Sequence, residues 1–138
     1  MLKHAHAIIV IKNDKDEYLQ YYDTRWSCKL FPNCKLDNEN HKETIKQYLS
    51  CNLNLSAEDN QIKFAMDKTH EKYSESAMKN KVYHHYFYIV EADALCKTNE
   101  SFKLNDIDFY WLSVSELEKD ERIQKVNHDI VEMVKKIK

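Results

Sequence analysis

Glycine is absent from this 138-residue chain, and proline occurs once, at Pro32. A globular chain of this length ordinarily carries roughly ten glycines. The absence excludes phosphate cradles built on glycine-rich loops, the P-loop and the dinucleotide fingerprint among them. Any phosphate must be met by side chains, helix N-termini or ordinary backbone amides. Left-handed backbone positions fall to Asn or Asp, and Asn13, Asn33, Asn38, Asn40, Asn52, Asn54 and Asn105 stand at expected turns. A dominant charge is missing too: the formal net charge is −2 with 32% charged residues. Binding to long nucleic acid, which needs a strong basic excess, is therefore not expected. A small anionic ligand in a locally basic pocket remains open. Cys28, Cys34, Cys51 and Cys96 form no C-x-x-C pair and no regular framework, so they read as reduced thiols rather than zinc ligands or disulfides. No signal peptide and no apolar run of membrane-spanning length is present.

What is present is enough for one folded domain covering residues 1–138: 43% hydrophobic and 12% aromatic residues can build a core. Ala5 to Ile11 (AHAIIVI) reads as a buried strand. After the polar turn Asn13–Asp16, Glu17 to Tyr22 returns as a second strand, so a hairpin is expected. Residues 23–29 read as a loop. Asn40 with Glu43 makes a capping box for a helix whose Ile45, Leu49 and Leu53 share one face. Ile62 to Met66 reads as a strand, residues 70–80 as a polar mobile loop, and Val82 to Val90 as an aromatic strand. Phe102 to Asp106 is short and extended, and Phe109 to Leu112 is another strand. Ser115 and Glu118 make a second capping box before a terminal helix with Ile123, Val126, Ile130, Val134 and Ile137 on its apolar face. The class is α+β with a mixed β-sheet between helices.

Residues 31–55 (FPNCKLDNENHKETIKQYLSCNLNL) have the outline of a proline turn, a short extended piece, an asparagine-rich loop and the amphipathic helix. This resembles the Nudix box, Gly-x5-Glu-x7-Arg-Glu-U-x-Glu-Glu-x-Gly-U with U aliphatic, whose glutamates hold magnesium on a diphosphate. Setting Leu49 and Leu55 at the two U positions puts Gln47 at the arginine, Tyr48 at the first helix glutamate, Cys51 and Asn52 at the paired glutamates, and Asn54 at the glycine. The strand VYHHYFYIV and the segment DFYWLSVSELEKD also resemble the family. The resemblance implies a Nudix-like α/β/α sandwich. With a phenol, a thiol and an amide at the carboxylate positions, it implies no metal, no cofactor and no hydrolysis, because Mg²⁺ prefers carboxylates and water. A relocated Mg²⁺ site on Asp37, Glu39 and Glu43, giving a divergent hydrolase of nucleoside diphosphate derivatives, is the alternative. A protein-interaction module is a third reading. His84 and His85, adjacent on a strand, point to opposite faces, whereas His4 and His6 share one. No motif ties a histidine to Cys34, so a nucleophile is not expected there.

Carried over, the family's cleft gives His6, Arg25, Trp26, Lys29, Phe31, Asn33, Phe64, Met66, Tyr86 and Arg122 as ligand-binding residues. Trp26, Phe31 and Tyr86 suit base stacking, worth about 1–3 kcal/mol per base. His6 and Asn33 suit base edges. Arg25 and Arg122, the only arginines beside nineteen lysines, suit phosphate. Trp26 to Asn33 further resembles the SMODS-associated Nudix domains of bacterial cyclic-oligonucleotide antiphage systems. That resemblance implies a catalytically inactive sensor of a cyclic oligonucleotide that assembles as a homo-oligomer. It also implies the cytoplasmic part of an inner-membrane effector, tethered by segments outside this chain.

Overall fold

The computed structural model describes residues 3–74 and 78–137, without the side chains of residues 3, 4, 72, 74 and 96. The strand face that His4 is expected to share with His6, the side chain of Cys96 and the centre of the 70–80 segment thus fall outside the described parts. In chain order the elements are β1 (Lys3–Val10), β2 (Glu17–Asp23), β3 (Cys28–Leu30), β4 (Asn33–Lys35), α1 (His41–Leu53), β5 (Ile62–Ser74), β6 (Lys79–Val90), α2 (Asp93–Cys96), β7 (Phe102–Leu104), β8 (Ile107–Ser113), α3 (Val114–Lys119) and α4 (Glu121–Lys135). They form two units, Met1–Ile9 with Asn33–Val90 and Val10–Pro32 with Glu91–Lys138. Each carries a four-stranded sheet, ordered β4-β1-β6-β5 in the first and β3-β2-β8-β7 in the second. The α+β class with a mixed sheet is what the sequence leads one to expect.

In the first unit, α1 begins where Asn40 accepts a hydrogen bond from the Glu43 amide and ends on Asn54 in left-handed geometry at φ 53°. The capping box is only half built: the Asn40 N–H donates to Asn38 Oδ1 at 2.8 Å, which leaves the Glu43 carboxylate out of the cap. Ile45, Leu49 and Leu53 are buried, as their spacing requires. The largest difference from expectation lies in residues 70–80. The described part is strand, not mobile loop: β5 and β6 pair in antiparallel register from Ile62↔Val90 to Ser74↔Lys79, with a bulge between Phe64 and Met66. Alternating Lys, Thr, His, Glu and Tyr gives both arms polar faces, and the polarity hides the strand period.

In the second unit, the hairpin expected into β2 is built only next to its turn. Lys12 bridges Tyr18 in antiparallel sense, the Leu19 N–H donates to the Ile11 carbonyl at 2.9 Å and the Asn13 N–H to the Glu17 carbonyl at 3.0 Å, whereas the ladder partners of β2 are β3 and β8. Asn13 explains the early divergence: its side-chain oxygen accepts from the amides of Lys15 and Glu17, each at 3.0 Å, and closes the turn locally. Residues 23–29 are not a free loop either, since Cys28 and Lys29 lie in β3. The last capping box sits two residues early, on Ser113 and Glu116. In α4, Val126 is only half-buried and the inward position goes to Asn127, where the backbone leaves helical geometry at φ −133°.

Candidate functional site

The edge of α1 that corresponds to the box acids carries Tyr48, Cys51 and Asn52. Asn52 turns inward on its own helix, its Nδ2 donating to the Tyr48 carbonyl at 3.1 Å. On the flank, Lys46 pairs with the Asp59 carboxylate and Lys42 Nζ donates to the Asp59 carbonyl at 3.0 Å. Glu43, Lys46, Gln47 and Ser50, with Leu55, Ser56 and Ala57, line an open cavity of about 270 Å³. Magnesium does not fit this edge: a phenol, a thiol and a self-bonded amide are poor ligands for a hard cation. Nor do Asp37, Glu39 and Glu43 gather into a relocated site. Among the described residues no three His, Cys, Asp or Glu groups are grouped to hold a metal ion. Burial pushes the Cys34 thiol up to about 11, so at neutral pH it is neither nucleophile nor soft ligand.

Beside the N-terminus of α1 lies an array that the sequence does not advertise. His41 Nδ1 and the Tyr88 hydroxyl are 2.9 Å apart, and the His41 ring meets Tyr86 edge-on at 4.6 Å. Tyr86 stacks on His84 at 4.1 Å, and His84 Nε2 lies 2.7 Å from Asp67 Oδ2. Burial, and secondarily Tyr86, hold the Tyr88 phenol above the usual tyrosine range, so it remains a hydrogen-bond donor. An Nε2–H donated to Asp67 would leave the lone pair of His84 on Nδ1, the arrangement of an oriented proton acceptor. Strand register alone brings these groups together. Asp67 lies opposite Tyr86, and Thr69 opposite His84, in a hairpin whose distal half reads as loop. Asp67, His41 and Tyr88 were therefore not legible as a group.

The ten residues expected to bind ligand divide between the units. In the first, the sheet separates them further. Tyr86 and Phe64 share the face that bears His84 and Tyr88, because Phe64 lies opposite Tyr88. His6 and Met66 lie on the other face, His6 at 6.3 Å from His85 and Met66 opposite Phe87. Phe64 is 53% exposed, which leaves it open to a ligand. The Tyr86 ring is already engaged by His84 and His41. Asn33 pairs in β4 opposite Ile8.

In the second unit the buried carboxylate of Asp23, which sequence reasoning passed over, organises the turn after β2. It accepts from the amides of Arg25 and Trp26 at 2.9 and 3.1 Å and from the Tyr21 hydroxyl at 3.0 Å. The Arg25 side chain is 80% exposed, its Nη2 3.7 Å from Asp23. Arg122 is committed to structure: its Nε and Nη2 donate to the Trp26 carbonyl at 2.9 and 2.6 Å. Lys29 lies over the Tyr110 ring at 4.4 Å. Phe31 is placed in the core at 2% exposure, its ring edge-on to Tyr18 at 5.9 Å. A ring so enclosed has no face to offer a base. Asp23 and Arg122 together fix the turn.

No family model matches the chain, and no curated protein does. Solved structures do. The chain shares its fold with a MutT NUDIX hydrolase from Burkholderia pseudomallei (TM-score 0.68, 12% identity, 100% of each chain). It is similar also to C. elegans Ap4A hydrolase (TM-score 0.58, 12% identity, 97% of this chain and 95% of that one). A third likeness is to a bifunctional NMN adenylyltransferase/ADP ribose pyrophosphatase from Francisella tularensis (TM-score 0.60, 13% identity, 97% of this chain and 40% of that one). The chain has a Nudix fold. These likenesses correct one expectation. The loss of three box acids argued for a protein that is not an enzyme, whereas the structures sharing the fold over nearly its whole length are hydrolases and a pyrophosphatase. The non-enzyme reading is withdrawn. Among the described residues no helix is long and apolar enough to cross a membrane.

Proposed function

We propose that the chain is a divergent hydrolase of nucleoside diphosphate derivatives, its two units working as one domain. The observation that carries the reading is likeness to Nudix-fold hydrolases over 97–100% of the chain. In the first unit, Phe64 offers an exposed ring for a base. Glu43, the single acid on α1, is left out of the cap and lines the cavity beside the helix. The test is to incubate the chain with a dinucleoside polyphosphate, ADP-ribose and nucleoside triphosphates, with Mg²⁺, with Mn²⁺ and with neither. Release of phosphate or nucleoside monophosphate well above the blank is expected, falling at least tenfold in Glu43→Gln. No turnover of any substrate under any condition would end the proposal.

A second ligand class is a cyclic oligonucleotide. It is favoured by Tyr48, Cys51 and Asn52, which leave that edge of α1 without the negative charge that repels phosphates in the absence of metal. In this reading copies of the chain assemble, within a longer membrane-tethered protein, in antiphage defence. Calorimetry with cyclic di- and trinucleotides in metal-free buffer tests it, and the absence of heat with every member removes it.

A further inference from the structure

Two imidazoles beside the Phe64 face of the β5–β6 hairpin are held in opposite polarity. A neutral imidazole donates through one nitrogen and accepts through the other, and its partner decides which. His84 Nε2 lies 2.7 Å from Asp67 Oδ2. A carboxylate only accepts, so the ring proton stays on Nε2 and the lone pair is left on Nδ1. His41 Nδ1 lies 2.9 Å from the Tyr88 hydroxyl. Tyr88 is 7% exposed, and among the described residues its hydroxyl bonds to His41 alone. A buried hydroxyl that fails to donate is costly, so the phenol donates to Nδ1 and the His41 ring proton lies on Nε2. One ring thus presents an acceptor and the other a donor. Tyr86 meets both, stacked on His84 at 4.1 Å and edge-on to His41 at 4.6 Å. The face is open where Phe64, Asp67 and Thr69 are exposed.

We propose that His84 is the general base and His41 the electrophilic donor for hydrolysis of a phosphoric anhydride, with Asp67 and Tyr88 as positioning residues. The inference rests on the hydrolase reading above and supplies the proton acceptor that the Tyr48, Cys51 and Asn52 edge lacks. A water within hydrogen-bond reach of His84 Nδ1 gives that nitrogen a proton as its oxygen bonds to phosphorus. The bridging P–O bond breaks, and its electron pair leaves with the departing phosphate, which needs no proton. The His41 Nε2–H stays on its ring and donates to a phosphoryl oxygen, where negative charge builds. His84 then returns its proton to solvent. The base of the substrate lies on Phe64, which stands opposite Tyr88 with its ring 5.5 Å away, and the phosphates run along β6 past Tyr86. Same-face positions recur about every 6.8 Å, so His84 is two such steps from Tyr88. Support of the hairpin explains the Asp67–His84 contact less well. Exposed pairs contribute little to stability, and this one is diagonal, since Asp67 lies opposite Tyr86 and His84 opposite Thr69. It fixes the ring rather than the ladder.

The test measures kcat and KM of the full chain on a dinucleoside polyphosphate, ADP-ribose and nucleoside triphosphates. His84→Gln is expected to lower kcat about 10²-fold or more with KM nearly unchanged, and His41→Ala to lower it by a similar factor. Asp67→Asn should lower kcat at least tenfold, with part of the loss recovered in Asp67→Glu, a pattern that a contact serving stability alone would not give. Glu71→Gln, which removes an acid from the same face, should keep kcat. Thermal unfolding establishes that each variant folds, and His84→Asn is read in place of His84→Gln if the latter does not. Turnover that survives in the folded His84 variant overturns the proposal and leaves the hydrolase reading standing. Absence of turnover by the parent ends both.

Discussion

Single residues show most clearly where sequence and structure diverge. Phe31 follows Leu30 and precedes the lone proline, which in sequence suits a ring at a cleft as well as one in a core; only its burial decides. Phe31→Ala is expected to cost about 3–5 kcal/mol in denaturant unfolding, the range for deleting a buried aromatic ring. A ring that served ligand alone would cost far less. Tyr88 gives a pH prediction. Its folded-state pKa is raised above 10.0, first by burial, so the folded chain keeps the phenolic proton longer than the unfolded chain does. The stability it contributes is fully present below about pH 10 and is lost as pH rises through the folded value. Urea midpoints at about pH 9 and about pH 11 should fall less steeply in Tyr88→Phe than in the parent. Trp26 was read for its ring alone, whereas the structure fixes its backbone through Asp23 and Arg122, 3 and 96 residues away in sequence. No local pattern announces a partner that distant.

Elements were legible to the extent that their signals are local. The start of α1, its buried stripe and its left-handed end on Asn54 all follow from short-range rules. The start of α3 was misplaced because two Ser-x-x-Glu patterns overlap there, Ser113 with Glu116 and Ser115 with Glu118. The run of β8 through Ser113 makes the first of them the cap. Ser113→Ala is therefore expected to cost about 1 kcal/mol of stability and Ser115→Ala close to nothing, with chemical denaturation separating the two. The β5–β6 hairpin went unread beyond Met66 for the opposite reason. Its distal strands carry lysine, histidine and glutamate where apolar alternation would mark a strand, and pairing across the ladder supplies what intrinsic preference does not.

At the scale of the whole molecule, the fold was readable from the outline of the box and the segments around it, even though the box has none of its helix acids. The candidate site was much less so. The sheet places His6 and Met66 on a different face from Phe64 and Tyr86, and face assignment depends on a register that one residue of slip, such as the bulge at Phe64/Met66, reverses. The same outline yields a metal prediction. Wild-type melting temperature should not move with added Mg²⁺, whereas Tyr48→Glu/Cys51→Glu/Asn52→Glu should be destabilised without the ion and recover as it is titrated in. A metal-dependent shift in the wild type would show that the described donors bind the ion after all.

The backbone adopts positive φ at Asp16, Ser27, Asn54, Met78, Asn105 and Asp106, every one bearing a Cβ. Each accepts local strain that glycine would avoid. In exchange, the denatured chain lacks the freely rotating joints that glycine introduces, and so has less conformational entropy to surrender on folding. The protein is accordingly stabilised in part from its unfolded side, a contribution invisible in any tally of native contacts. Glycine at Ser27 or Met78 would relax the native turn while loosening the denatured ensemble, and the two effects would largely cancel.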